Sequence, residues 1–293
     1  MMKLSLGPNQ FYWRRTDTNL FYERMLETPL DILYVGEVVC GKRNELRAAD
    51  WLELAFALAD ASDKEIVVST LTLLESGADF NWVRRVCDNN RLLVEANDMS
   101  AVQLLSGAGL PFACGPAINV YNHRTLATLV GKGMVRWTVP VEVSGRQLGQ
   151  ILARCDKRPE VELLAYGHMP LAYSARCFTA RHLGIGKDEC ERRCIEFAEG
   201  IALESQEQQQ LFLVNGIQTM SGEPVNLLPY VEQLRETGVD ILRLSPQQRE
   251  MENVIEAFDR VRLGTAGTDL LPGGVDGYWH DQCGFEIIAR DGA

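Results

Sequence analysis

No segment of this 293-residue chain holds the ~20 consecutive apolar positions that a membrane-spanning helix needs, because charge interrupts every long apolar stretch. The opening residues, MMKLSLGP, lack both an apolar run of signal-peptide length and a small-residue cleavage site. A soluble, cytoplasmic protein is therefore expected. Basic residues are also in the minority, with 29 Lys and Arg against 40 Asp and Glu and a net charge of −11. A surface of that sign repels phosphate backbones, so nucleic acid is not an expected partner. The Arg84–Arg85 and Arg192–Arg193 pairs read as solvated faces of helices.

Several common catalytic signatures are missing. There is no G-x-G-x-x-G after a strand, no P-loop, no H-E-x-x-H and no G-x-S-x-G, which removes the usual marks of nicotinamide, nucleotide, zincin and serine-hydrolase chemistry. The cysteines also lack the C-x3-C-x2-C order associated with S-adenosylmethionine radical chemistry. No Gly/Ser- or Pro-rich linker divides the chain, and no fixed-period repeat is visible.

What is present is alternation. Short runs rich in Val, Ile, Leu or Tyr alternate with longer amphipathic stretches, as in βα units around a parallel sheet. Eight candidate strands, at Lys3–Leu6, 31–36, 65–71, 91–96, 111–114, 135–140, 161–165 and 240–244, predict an α/β fold of the TIM-like (β/α) barrel type. Helical patterns lie between them, the clearest over 44–61 behind an Asn44 cap and others at 80–87, 101–106, 124–131, 145–155 and 247–262. One domain over 1–293 is expected, with residues 167–223 as an insertion too long for an ordinary βα loop. Within it the pattern predicts a short helix over 189–197 and a hairpin of 210–215 with 217–220, its turn marked by Asn215–Gly216.

Eight cysteines in a reducing compartment point to packing, catalysis or metal binding rather than disulfides. Three of them, Cys177, Cys190 and Cys194, lie in the insertion. A helix there would set Cys190 and Cys194 on one face, and Cys40 and Cys177 follow candidate strands at the end where a barrel carries its active site. Four thiolates from two loops would suit a cubane cluster or zinc, and the C-x12-C-x3-C spacing does not choose between them. Cys87, Cys114, Cys155 and Cys283 read as ordinary thiols. Glu37 and Glu95, at the ends of the second and fourth strands, are candidate acid–base residues or salt-bridged carboxylates of the barrel mouth. Arg176 is a candidate to screen a thiolate cluster beside His168, and Asn119, Tyr121 and Asn122 fall at the same end of the barrel.

The run YGHMPLAYSARC followed by FTARH resembles the signature of the collagenase-like peptidase family, U32. LSLGP with FYW, DILYVGEVVC, the Cys190–Cys194 spacing, NGIQTMS and GYWH resemble its UbiV-type branch, the anaerobic ubiquinone biosynthesis proteins, over about Leu4 to His280. That resemblance implies a [4Fe–4S] cluster held by Cys40, Cys177, Cys190 and Cys194. It also implies a heterodimer with a UbiU-type family member, a UbiT-type lipid-binding accessory protein, and O2-independent hydroxylation of a prenylated aromatic ubiquinone precursor. The wider family carries a cysteine seven residues before the one matching Cys177, where this chain has Pro170. This departure counts against peptidase activity. RNA-base hydroxylation, as in other relatives, and a non-catalytic cluster-stabilised scaffold are the alternative functions.

Overall fold

A computed structural model describes residues 2–268, 270–271 and 273–288. The strands are β1 (Lys3–Leu6), β2 (Ile32–Val35), β3 (Glu65–Ser69), β4 (Leu93–Ala96), β5 (Phe112–Cys114), β6 (Met134–Thr138), β7 (Glu160–Gly167), β8 (Pro170–Tyr173), β9 (Ile201–Glu204), β10 (Gln210–Asn215), β11 (Gln218–Ser221), β12 (Val225–Asn226) and β13 (Ile241–Leu244). The helices are α1 (Arg15–Leu26), α2 (Ala48–Ala61), α3 (Gly77–Cys87), α4 (Met99–Gly107), α5 (His123–Gly131), α6 (Gly145–Leu152), α7 (Phe178–His182), α8 (Val231–Thr237) and α9 (Met251–Arg262).

Strands β1 to β7 and β13 pair in parallel, and β6–β7, β7–β13 and β13–β1 complete the ring. The result is a closed eight-stranded barrel wrapped by helices, as the alternation of short apolar runs and amphipathic stretches predicts. Side-chain direction alternates along each strand. Leu4, Leu33, Val68, Val94, Trp137, Leu163 and Leu242 join the large apolar core. The other set faces inward, where Ile32, Tyr34, Val67 and Ile241 form only a small apolar cluster. Much of the remaining interior is ionic: Glu95, Glu162, Arg136 and Arg243 are all buried.

The insertion leaves the barrel after β7 and builds a second, four-stranded sheet in the order β8-β11-β10-β9. The expected hairpin is there, shifted by one residue: Asn215 pairs with Gln218, so Gly216 and Ile217 form the turn. Gly216 takes φ +66°, which a first turn residue of this hand requires. No continuous helix covers 189–197. Two 3-10 turns, Lys187–Glu189 and Arg193–Glu196, flank Glu191 and Arg192 at φ +45° and +58°. The second helix also begins later than expected, at Ala48, where the Asp50 carboxylate accepts from the Arg47 amide at 2.8 Å. Among the described residues no helix is long and apolar enough to cross a membrane.

Candidate functional site

The chain leaves β2 through Gly36, whose φ is +147° and whose missing Cβ would lie 2.5 Å from the Ser69 carbonyl oxygen. Only glycine meets both conditions. The loop beyond is tied by Glu37, whose Oε1 accepts from the Val39 amide (2.8 Å), the Cys40 amide (3.1 Å) and Arg43 Nη1 (3.2 Å). Burial pushes the Glu37 carboxyl upward, opposed by the Arg43 guanidinium and those two amides. The sequence left an acid–base role and a salt-bridged one open; here Glu37 is ion-paired to Arg43 and braces the Cys40 loop.

Cys177 stands at the start of α7, its Sγ accepting from the Ala180 amide at 3.4 Å. The hairpin tip docks against the same point: the Gly216 carbonyl accepts from the Phe178 amide, and the Gly216 amide donates to Thr179 Oγ1 at 3.0 Å. Cys190 follows the first 3-10 turn and Cys194 lies in the second, so the two do not share one helix face. Cys40, Cys177, Cys190 and Cys194 nevertheless line one small cavity, together with Lys42, Arg43, Lys187, Arg192 and Arg193. Such a lining is strongly basic for a chain of charge −11. Burial raises the Cys40 thiol to about 11 and the Cys194 thiol above its ordinary value, with Arg43 pulling both down.

Among the described residues no three His, Cys, Asp or Glu side chains meet as ligands of a single ion. The four thiols border a shared space instead, a donor set that fits a cluster whose irons each take a separate thiolate. The cation that acts on both the Cys40 and Cys194 thiols is Arg43, which sequence reasoning missed. Its side chain is 2% exposed, and its buried Nε has no hydrogen-bond partner. The candidate screening residue Arg176 is exposed and does not line the cavity. Lys42 and Lys187 are held by Asp188 (2.6 Å) and Glu75.

A second cavity, of about 300 Å³, opens at the carboxyl ends of the barrel strands. Glu95 lies in its wall, fully buried. Its Oε1 accepts from Arg243 Nη2 at 2.6 Å, and its Oε2 from Ser69 Oγ (2.7 Å) and Asn97 Nδ2 (3.2 Å). Arg243 also donates from Nε to Glu162 (3.2 Å) and lies 4.2 Å from the centre of the Tyr34 ring. Beneath it Tyr34 and Ser5 donate to Glu162. Asn119 and Tyr121 line the mouth, Tyr121 donating to Glu142 at 2.9 Å. Asn122 instead caps α5, accepting from the Thr125 amide. His168 lies at neither cavity's wall; its Nδ1 bonds the Ser221 carbonyl at 2.9 Å. Of the remaining cysteines, Cys87 and Cys114 are buried in α3 and β5, Cys155 follows α6, and Cys283 is exposed.

The fold is similar to that of several solved structures. They include the U32 peptidase Mk0906 (12% identity, 84% of this chain and 93% of that one, TM-score 0.44). A ligand-free tryptophan synthase from M. tuberculosis matches at 11% identity over 90% of each chain, with a TM-score of 0.46. Dihydropteroate synthase from Thermus thermophilus matches at 12% identity over 88% and 93%, with a TM-score of 0.44. A family model described as peptidase family U32 matches residues 21–263, most of the sequence, and by that match the chain belongs to peptidase family U32.

Proposed function

We propose that this chain is a [4Fe–4S] protein of the UbiV type, acting with a UbiU-type partner and a UbiT-type accessory protein in O2-independent hydroxylation of prenylated aromatic ubiquinone precursors. The observation that carries the reading is the shared cavity of Cys40, Cys177, Cys190 and Cys194. These four thiols would hold the cluster. Arg43, Lys42 and Lys187 would offset the negative charge of a tetrathiolate site, and Glu37 would keep Cys40 in place through its amide bonds. A cluster so ligated supplies one-electron transfer, since thiolates at all four irons leave no open position for substrate. The residues of the barrel mouth, Glu95 and Arg243 among them, would bind and orient the ring.

Iron and acid-labile sulfide, measured on protein purified without oxygen, test the reading. About four irons per chain are expected. They should be lost in Cys40→Ala, Cys177→Ala, Cys190→Ala and Cys194→Ala and retained in Cys87→Ala, whose thiol is buried in α3. Zinc in place of iron, or iron indifferent to these substitutions, defeats the proposal. Deletion of the protein should abolish anaerobic quinone synthesis and spare the aerobic route.

A further inference from the structure

The two cavities are joined by a run of buried amides. Arg43, in the cysteine cavity, donates from Nη1 to the Gln10 carbonyl (2.8 Å) and from Nη2 to Asn215 Oδ1 (2.7 Å). Asn215 Nδ2 donates to the same carbonyl (2.7 Å) and to Gln218 Oε1 (3.0 Å). Gln218 Nε2 then donates to Gln10 Oε1 and to the Tyr173 hydroxyl (2.9 Å). Gln10 and Tyr173 line the barrel mouth. Arg43, Asn215 and Gln218 are 5%, 3% and 0% exposed. Water therefore competes little for these bonds, and a change of charge at one end polarises the next bond along. The NGIQ turn supplies the middle of this bridge: besides closing the hairpin and docking at Cys177 through Gly216, it contributes the buried Asn215 and Gln218 side chains.

The mouth itself indicates what would occupy it. Pro8, Pro116, Pro140 and Pro170 give it rigid apolar faces within a lining that is otherwise largely polar, Glu95, Asn119 and Arg243 included, and Gln10 and Tyr173 lie at the side where the bridge arrives. Proline faces on which a flat ring can lie, bordered by fixed hydrogen-bonding groups, suit a ring bearing a hydroxyl.

We infer that the Tyr173–Gln218–Asn215–Arg43 bridge couples occupancy of the barrel mouth by the phenolic ring proposed above to the redox state of a cluster on the four thiols. This rests on the cluster reading proposed above. By thermodynamic reciprocity, a ring that changes the cluster's midpoint potential must itself bind the oxidised and reduced protein with different affinity. A tenfold affinity difference corresponds to 59 mV for one electron.

The test is an EPR-monitored redox titration of the anaerobic, cluster-loaded protein, with and without an ortho-prenylphenol carrying a single five-carbon isoprenoid unit. Its binding is measured in parallel by calorimetry. The wild type should bind the phenol and change its midpoint potential. Ala117→Phe, which fills the mouth, should abolish both effects. Gln218→Met removes the centre of the bridge from outside the mouth and should still bind the phenol while the change in potential is lost; Tyr173→Phe breaks the same bond from the other side should the buried substitution unfold the chain. An unchanged potential with phenol bound overturns the coupling, as does a full change surviving in both bridge variants. Failure of the wild type to bind the phenol overturns the mouth as its site. Absence of iron in the starting protein would instead defeat the cluster reading on which the inference rests, so the two failures are told apart before the titration begins.

Discussion

Glu37 illustrates how much a single carboxylate can do without touching a substrate. Three donors converge on its Oε1, two of them backbone amides of the loop carrying Cys40 and the third the buried Arg43 guanidinium. Removing one partner of a buried ion pair leaves the other charged and poorly solvated, typically at a cost of about 3–5 kcal/mol. Glu37→Ala should therefore lower urea-unfolding stability by roughly that amount and loosen the Cys40 loop. Glu37→Gln keeps an amide-accepting oxygen and should retain more of both stability and bound iron than the alanine variant. Equal loss in the two would mean that the backbone hydrogen bonds contribute little. Glu95 differs, being buried in the wall of the mouth beside Arg243 rather than in a loop.

At the scale of elements, the junction after β2 decides where Cys40 sits. Gly36 turns there at φ +147°, and a Cβ would press on the Ser69 carbonyl of the neighbouring β3. Such backbone strain costs about 1–3 kcal/mol for a non-glycine residue before the clash is counted. Gly36→Ala should thus destabilise the chain by at least that much and reduce its iron content although no thiol has changed. Full iron content in a folded Gly36→Ala protein would show the junction to be tolerant. The eight barrel strands were legible in the sequence because each is a short apolar run between amphipathic segments. Their inward-facing charges, such as Glu162 in EVELLA and Arg243 in DILRL, interrupt those apolar runs, and sequence alone gives no means of pairing residues 81 positions apart. The helix expected over 189–197 failed for a local reason, the left-handed backbone at Glu191 and Arg192, which nothing in ECERRC announces. Arg43 went unnoticed because GKR reads as an exposed basic turn until the hairpin closes over it. Asn215 ends its strand as the 210–215 pattern predicts, but nothing in the sequence shows that its side chain, beyond the pairing with Gln218, receives Arg43.

Over the whole molecule, the insertion must be anchored where it leaves the barrel, and His168 and Met169 do this against the end of β11. Met169 exchanges backbone and hydroxyl hydrogen bonds with Ser221 (2.9 Å each), and His168 Nδ1 bonds the Ser221 carbonyl. Burial lowers the His168 imidazole below its ordinary value of 6.5, partly offset by its bond to Ser221 and by the Glu223 carboxylate. The folded chain therefore resists a proton that the unfolded chain accepts. Stability from this group is fully present above about pH 6.5 and is lost as the pH falls toward the depressed folded value. Glu37 acts in the opposite sense, because its raised carboxyl keeps a proton longer when folded and so favours the folded state on acidification. A comparison of wild type with His168→Gln isolates the histidine, since the glutamine amide can still donate to Ser221 but does not titrate. Urea midpoints should converge, or cross, as the pH falls from about 7.5 to 5.5, the wild type losing stability that the variant keeps. Parallel midpoints across that range would mean that the imidazole titrates alike in both states, and that acid reaches the joint between barrel and insertion through some other group.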